Sequence, residues 1–186
     1  MRCTMAESST EKNILKKADK SMLKKEDKNI LKKAIILRKA QQEDLGPIIE
    51  LQKKVFHFEQ NIPADDIEGF LDRNPMCWCA VCDDKIVSAA AAWEENGVLH
   101  WGRFVTNSRY RGLHIGTQLA RRCFDDLFSQ GYTQIYMEAR EVTVKMIVNM
   151  GGEITGETVP FFAGTVTPLI LKKESYYINF LYKIFN

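Results

Sequence analysis

Between Arg109 and Cys123 the chain reads RYRGLHIGTQLARRC. Two arginines bracket a tyrosine, Gly112 follows at once, Gly116 comes four residues later, and apolar residues then recur at helical spacing. A loop that enters a helix leaves its first N–H groups without intrahelical partners, and the helix dipole adds positive potential there. Arg109 and Arg111 add forked cationic donors, while the glycines let the backbone come close to a ligand. Such a turn suits an anion, phosphate above all. It is not a G-x-x-x-x-G-K-S/T loop, because Thr117 follows Gly116 with no lysine between. Nor is it the G-x-G-x-x-G turn of dinucleotide folds. A helix start with no ligand is the plain alternative.

The other cluster that invites chemistry is CWCAVC, with Cys77, Cys79 and Cys82. Its C-x-C-x-x-C spacing lacks a second Cys or His pair at zinc-site distance, and a cysteine in a strand behaves as a small apolar residue. No metal is expected. The five cysteines are an odd number. MRCTMAESST has no apolar leader core, and no run reaches about 18 apolar residues. These features lead to the expectation of a reducing cytoplasm and no membrane span.

A hydrophobic fraction of 45% is enough for one domain with a proper core, and a net charge of +2 gives the whole chain no nucleic-acid footprint. The charge is uneven. Residues 12–33 hold nine lysines against Asp19, Glu26 and Asp27, in the repeat KNILKKAD, KSMLKKED, KNILKKA. A period of eight overshoots two helical turns by ~80°, so the apolar pairs spiral and form no straight stripe. Residues 1–33 are expected to be a solvated helix or a disordered arm. Contact of this arm with nucleic acid or anionic lipid is the sharper alternative.

The elements that must hold the phosphate turn begin with a β-like run in AIILRKA, where a domain over residues 34–174 starts. A helix follows, with Asp44 as its cap, Pro47 in its first turn and Ile48, Ile49, Leu51 and Val55 on its apolar face. A second helix begins near Pro63. Two hairpins come next, turning at Asp83-Asp84 and at Asn96-Gly97. From Ile115 the residues Leu119, Cys123 and Leu127, with Ala120, Phe124 and Phe128 beside them, predict a long amphipathic helix that Gly131 ends. A strand at YTQIYMEA, a helix at EVTVKMIVNM and strands at GEITGE and TVTPLILKK complete the order β-α-α-β-β-β-α-β-α-β-β. The aromatic segment 175–186 is expected to pack on the domain or on a second subunit, which makes a homodimer possible.

Residues 35–174 resemble the GNAT superfamily of acyl-CoA-dependent N-acetyltransferases. ILRKAQQEDLGPIIEL is similar to the family's first strand and helix, and GRFVTNSRYRGLHIGTQL to its fourth strand and pyrophosphate loop. In the loop pattern Arg/Gln-x-x-Gly-x-Gly/Ala, Arg111 holds the first position, Gly116 the last, and His114 stands in place of the middle glycine. YMEARE and NMGGEITGE resemble the fifth strand's exit and the helix-end glycine before the sixth strand. The resemblance implies a mixed α/β fold with a mostly antiparallel seven-stranded sheet flanked by helices. It implies acetyl-CoA as cosubstrate, an amine acceptor, and direct attack in a ternary complex. It places cofactor contacts at Phe104, Val105 and Thr106 and at Arg111, Gly112, Leu113, His114, Ile115, Gly116 and Thr117. If the His114 φ is negative, its N–H still points inward.

An amine with a pKa near 10.4 must lose a proton before it attacks a thioester, so a base is required. Glu138 and His100 are the leading candidates, with Glu94 and Glu95 behind them. Strand alternation puts His100 on one face with Gly102 and Phe104. The family's usual proton donor to the thiolate is a tyrosine four residues before the helix-end glycine. That position is Ile147 here. Thiolate departure without a dedicated acid is tolerable, since a thiol pKa is only ~8.5. The missing tyrosine keeps a non-catalytic acyl-CoA-binding domain as the alternative. Acidic residues Glu59, Asp65 and Asp66 hint at a cationic acceptor, against the reading of a solvated turn. A chain that lacks residues 1–33 should turn over and bind polyanions like the full chain if the arm is only a solvated extension; loss of salt-sensitive polyanion binding would instead make the arm a contact surface.

Overall fold

The computed structural model describes residues 34–185, and the lysine-rich repeat lies outside the described residues. Strand β1 (Ile36–Lys39) leads through a 3-10 turn (Gln42–Asp44) into α1 (Leu45–Gln52). A π-helical segment (Lys53–His57), a helical turn (Phe58–Gln60) and α2 (Ala64–Glu68) follow. Strands β2 (Met76–Cys82), β3 (Lys85–Glu95) and β4 (Val98–Thr106) form two hairpins. Then come α3 (Ile115–Ser129), β5 (Gln134–Ala139), α4 (Glu141–Val148), β6 (Glu153–Ile154), β7 (Val159–Pro160), β8 (Thr165–Lys172) and α5 (Lys173–Phe185).

The sheet runs β1-β2-β3-β4-β5-β8-β6, with β7 paired to β8 off that path. Every pairing is antiparallel except β4 with β5. The fold is the mixed α/β arrangement with a mostly antiparallel open sheet that the sequence predicts. The two-residue β7 makes the strands eight, and α5 is added after β8. Both hairpin turns use left-handed residues, Asp83 and Asp84 in one, Asn96 and Gly97 in the other. These are the conformations that two-residue hairpins require.

Alternation along β2 and β3 divides the core into two layers. Trp78, Ala90 and Ala92 face α3, where Leu119, Cys123, Phe124, Leu127 and Phe128 are fully buried. Cys77, Cys79, Ala89 and Ala91 face the other way, against Ile48, Leu51, Val55 and Phe56 of the α1 side. Four consecutive alanines let both helical layers approach the sheet centre closely. The Trp78 indole N–H donates to Asp126 at 2.8 Å, so this buried indole is not left with an unpaired donor. The Cys77 and Cys79 thiols are pushed up to about 11 by burial, which leaves them protonated and inert at neutral pH.

Asp44 does not cap α1 as expected. It is the first helical turn's carboxylate: it accepts from the Gln41 N–H at 2.7 Å and pairs with Arg38 on β1, Nη2 to Oδ1 at 3.0 Å. The cap lies one turn earlier because the 3-10 turn begins the helical run at Gln42. The Arg38 guanidinium chiefly, and the Gln41 N–H after it, hold the Asp44 carboxyl below its ordinary range in spite of burial. A depressed carboxylate adds stability above its unfolded pKa and loses it as pH falls through the folded value. Asp44→Asn should therefore cost about 1–2 kcal/mol at pH 7, discounted for the partly exposed arginine. In urea titrations the gap to the native chain should close as pH drops below ~3.9. A gap that stays constant across that range would contradict the assignment.

Candidate active site

The turn after β4 is built by short local bonds. The Asn107 side chain accepts from the Arg109 N–H at 3.1 Å, and Ser108–Tyr110 makes one 3-10 turn. Gly112 and His114 are left-handed, with φ of 78° and 59°. The first backbone bond of the following helix is Gln118 N–H to His114 C=O at 3.0 Å. The N–H groups of Gly112, Leu113, His114, Ile115, Gly116 and Thr117 therefore donate to no acceptor among the described residues. They are gathered at the positive end of a fifteen-residue helix.

His114 does not have the negative φ that the sequence reading made its condition. It occupies the left-handed state that a glycine would adopt at no cost, and its exposed side chain leaves the backbone path as the pattern requires. Gly116 lines the cleft and also serves packing. A Cβ there would lie 2.8 Å from both the Phe104 ring and the Thr106 hydroxyl, so the missing side chain lets α3 sit against β4. The side chain of Leu113 packs into the cluster of Ala80 and Val87 and not on the cleft. Arg109 also lies outside the cleft lining, which leaves Arg111 as the turn's arginine at the cleft.

Arg111 is already engaged. Its Nε donates to the Thr106 C=O at 2.9 Å, and its Nη2 donates to both oxygens of Glu59 at 2.9 Å. The first contact fixes the side chain against the end of β4. The second ties the segment after α1 to the phosphate turn. With 43% and 42% of the two side chains exposed, the ion pair is weak enough for a stronger anion to displace.

β4 and β5 pair only at His100 and Tyr136, and beyond that point the strands diverge. The gap opens into a cleft of roughly 1620 Å³. Its lining takes in His100, Phe104, Val105, Thr106, Glu138 and the turn from Arg111 onward, Leu113 excepted. On β4 a bulge sets Arg103 and Phe104 opposite the single residue Ala90, with Arg103 at φ 50°. The extra residue reverses strand parity. Before it, Trp101 faces α3; after it, Phe104 and Thr106 do, with Phe104 5.2 Å from the Trp101 ring. His100 shares its face with Gly102, as expected, but not with Phe104. A bulge also takes peptide groups out of the ladder, and this one lies beside the gap.

His100 stacks on Trp93 at 5.5 Å and faces the Tyr136 ring at 6.5 Å. Tyr136, Glu138 and Arg140 follow at two-residue spacing and all line the cleft. The other two carboxylates separate. Glu95 lines the cleft but is paired with Arg73 at 2.9 Å. Glu94 accepts from the Tyr132 hydroxyl at 2.7 Å and is not in the lining. Ile147 is fully buried, and its carbonyl accepts from the Met150 and Gly152 N–H groups at 2.9 Å. Among the described residues no cluster of three or more His, Cys, Asp or Glu is arranged to hold a metal ion, and no helix is long and apolar enough to cross a membrane.

Several cleft residues had no sequence signal. Arg103 donates to the Asp66 C=O at 2.8 Å and lies 4.5 Å from the Phe70 ring centroid, with its pKa lowered chiefly by burial. Arg140 donates to Gln60 at 3.1 Å and to the Thr165 C=O at 3.4 Å, joining the segment after α1 to the start of β8. Arg121 of α3, Asn149 and Lys183 also line the cleft. These residues meet only through tertiary contacts 25 to 80 positions apart in sequence, or through a helix whose face toward the cleft periodicity alone does not reveal.

Two substitutions follow from the turn. Gly116→Ala should crowd the Phe104 ring and the Thr106 hydroxyl, push α3 from β4 and weaken coenzyme A binding several-fold. Glu59→Gln should release Arg111 and tighten coenzyme A binding by about 1.4- to 5-fold, the range set by 0.2–1 kcal/mol for an exposed pair. Calorimetric titration measures both. An unaltered affinity in Gly116→Ala, or a weaker one in Glu59→Gln, would contradict this geometry.

Comparison with known proteins agrees with the geometry. Residues 40–147 match the model of the acetyltransferase (GNAT) family. No curated protein sequence matches at a significant level. Among solved structures, Escherichia coli ElaA is similar with a TM-score of 0.66 at 19% identity, covering 75% of this chain and 100% of its own. An acyl-CoA N-acyltransferase from Pseudomonas aeruginosa gives 0.63 at 19%, covering 74% and 98%. An aminoglycoside 6′-N-acetyltransferase complexed with coenzyme A gives 0.57 at 15%, covering 74% and 96%. At these identities the structures establish a shared fold, while the family match spans more than half of the sequence. The chain belongs to the GNAT acetyltransferase family, whose chemistry is acyl-CoA-dependent acetyl transfer.

Proposed function

We propose that the protein moves an acetyl group from acetyl-CoA to an amine by direct attack in a ternary complex. The observation that carries this reading is the run of N–H groups from Gly112 to Thr117 with no acceptor among the described residues, set at the mouth of the β4–β5 gap. A diphosphate held there points its thioester arm into the gap, toward the bulge on β4 and the faces of His100 and Glu138. Acetyl-CoA supplies the activated acyl group. The chain supplies position, an oxyanion donor and a base.

Donors for the developing oxyanion come from the Phe104–Thr106 backbone, beside the bulge that takes Arg103 and Phe104 out of register with β3. Glu138 and His100 are the base candidates in reach of the gap. Glu95 is held by Arg73 and Glu94 by Tyr132, which makes both poorer choices. The thiolate leaves without a side-chain acid, because the position that supplies one elsewhere in the family is the buried Ile147. This absence also supports a second reading, an acyl-CoA-binding domain that does not turn over.

Thiol release from acetyl-CoA with a panel of amines, run beside equilibrium binding, separates the two. Binding with amine-dependent thiol release is expected; binding without release for any amine would favour the second reading, and no binding would sink both. Replacing the true base, Glu138→Gln or His100→Gln, should lower kcat by about 10²- to 10⁴-fold and remove one limb of the pH profile. Normal turnover with a normal profile clears that residue.

A further inference from the structure

The geometry points to a 3′-phosphate site built by Arg121 of α3 and Lys183 of α5, so that the C-terminal helix is part of the cofactor cleft. The inference rests on the acyl-CoA reading. If the diphosphate lies on the N–H groups at the start of α3 and the thioester arm enters the β4–β5 gap, the nucleotide must leave the diphosphate on its other side. The same cleft is also lined by Arg121, Asn149 and Lys183.

Arg121 is one helical turn beyond Thr117, about 6 Å along the axis. The ribose that carries the diphosphate on its 5′ oxygen carries the third phosphate on its 3′ oxygen, so the two anions are separated by one sugar. Arg121 lies with its guanidinium 5.8 Å from the Phe180 ring on α5. Lys183 is three residues after Phe180, on the same side of that helix. Phe180 thus brings a forked cation and a point charge to one end of the cleft. The Lys183 ammonium donates to the Asn149 C=O at the end of α4, which orients it and leaves two further donors.

Neither cation has a carboxylate at ion-pair distance among the described residues. Asp125, one turn past Arg121, accepts from the Tyr176 hydroxyl at 3.0 Å. A helix cap by Lys183 and packing of Arg121 on Phe180 would explain the positions, but neither needs both charges at the cleft. Helix α5 lies past residues 40–147, the part that matches the family model.

The test compares coenzyme A with dephospho-coenzyme A, which lacks only the 3′-phosphate. By calorimetry the native protein should bind coenzyme A at least tenfold more tightly than the dephospho form. Arg121→Gln and Lys183→Gln should each reduce that ratio several-fold, and the double variant should bring it near one. Affinity for the dephospho form should stay within about twofold, and Lys183→Arg should keep the native ratio. A native ratio near one, or variants that weaken both ligands in parallel, overturns this inference alone. Failure to bind either ligand overturns the diphosphate reading beneath it.

Discussion

The structure depends on a turn whose backbone donors find no acceptor among the described residues. Buried or clustered N–H groups are almost always paired, and a helix start normally finds a capping side chain. Here the helix begins after a left-handed His114 with no side-chain cap. Two left-handed residues, Gly112 and His114, wind the loop so that successive N–H groups converge. Gly116 then lets the helix lie close against β4, where a Cβ would come within 2.8 Å of the Phe104 ring and the Thr106 hydroxyl. The turn is held from behind by Asn107, by the Arg111 contact to Thr106 and by Leu113 in its apolar cluster. Its shape is maintained without use of the donors it presents.

The same constraint organises the sheet. β4 must end at that turn, part from β5 and still contribute to the core, and the bulge at Arg103 and Phe104 reconciles these demands. It reverses the strand's parity, so Phe104 and Thr106 meet the helix just where Gly116 makes room. It also ends the regular ladder beside the gap. The alanine run of β3 is the counterpart: Ala90 has no side chain large enough to resist two residues opposite it, while its neighbours let α1 and α3 close on the sheet. The cleft is thus a consequence of strand divergence in a well-packed core, and its chemistry comes from what the strand edges carry into it.

Much of this was legible in the residues. Ile115, Leu119, Cys123 and Leu127 set the buried face of α3, and Asp83-Asp84 and Asn96-Gly97 marked both hairpins, because those signals are local. The turn before α3, with Gly112 in the left-handed state, is legible for the same reason. What sequence did not reveal is non-local or depends on one inserted residue. The bulge leaves no mark in GRFVT, so plain strand alternation puts Phe104 on the wrong face. The Arg111–Glu59 contact spans 52 positions. Asp44 looked like a cap because its type fits one, yet the helical run starts a turn sooner. Segment 175–186 read as aromatic packing; it is mostly helix, with Tyr176 buried against Phe124 and Phe128 and an outward face that stays apolar.

The account stands on the backbone donors of the turn receiving a diphosphate. The direct measurement is an amide-resolved titration of the isotope-labelled protein with coenzyme A. Saturable shifts of the Gly112–Thr117 amide signals, larger than those elsewhere on α3 and shared by a diphosphate-bearing fragment such as ADP, are the predicted result. Binding that leaves those six signals in place would contradict it.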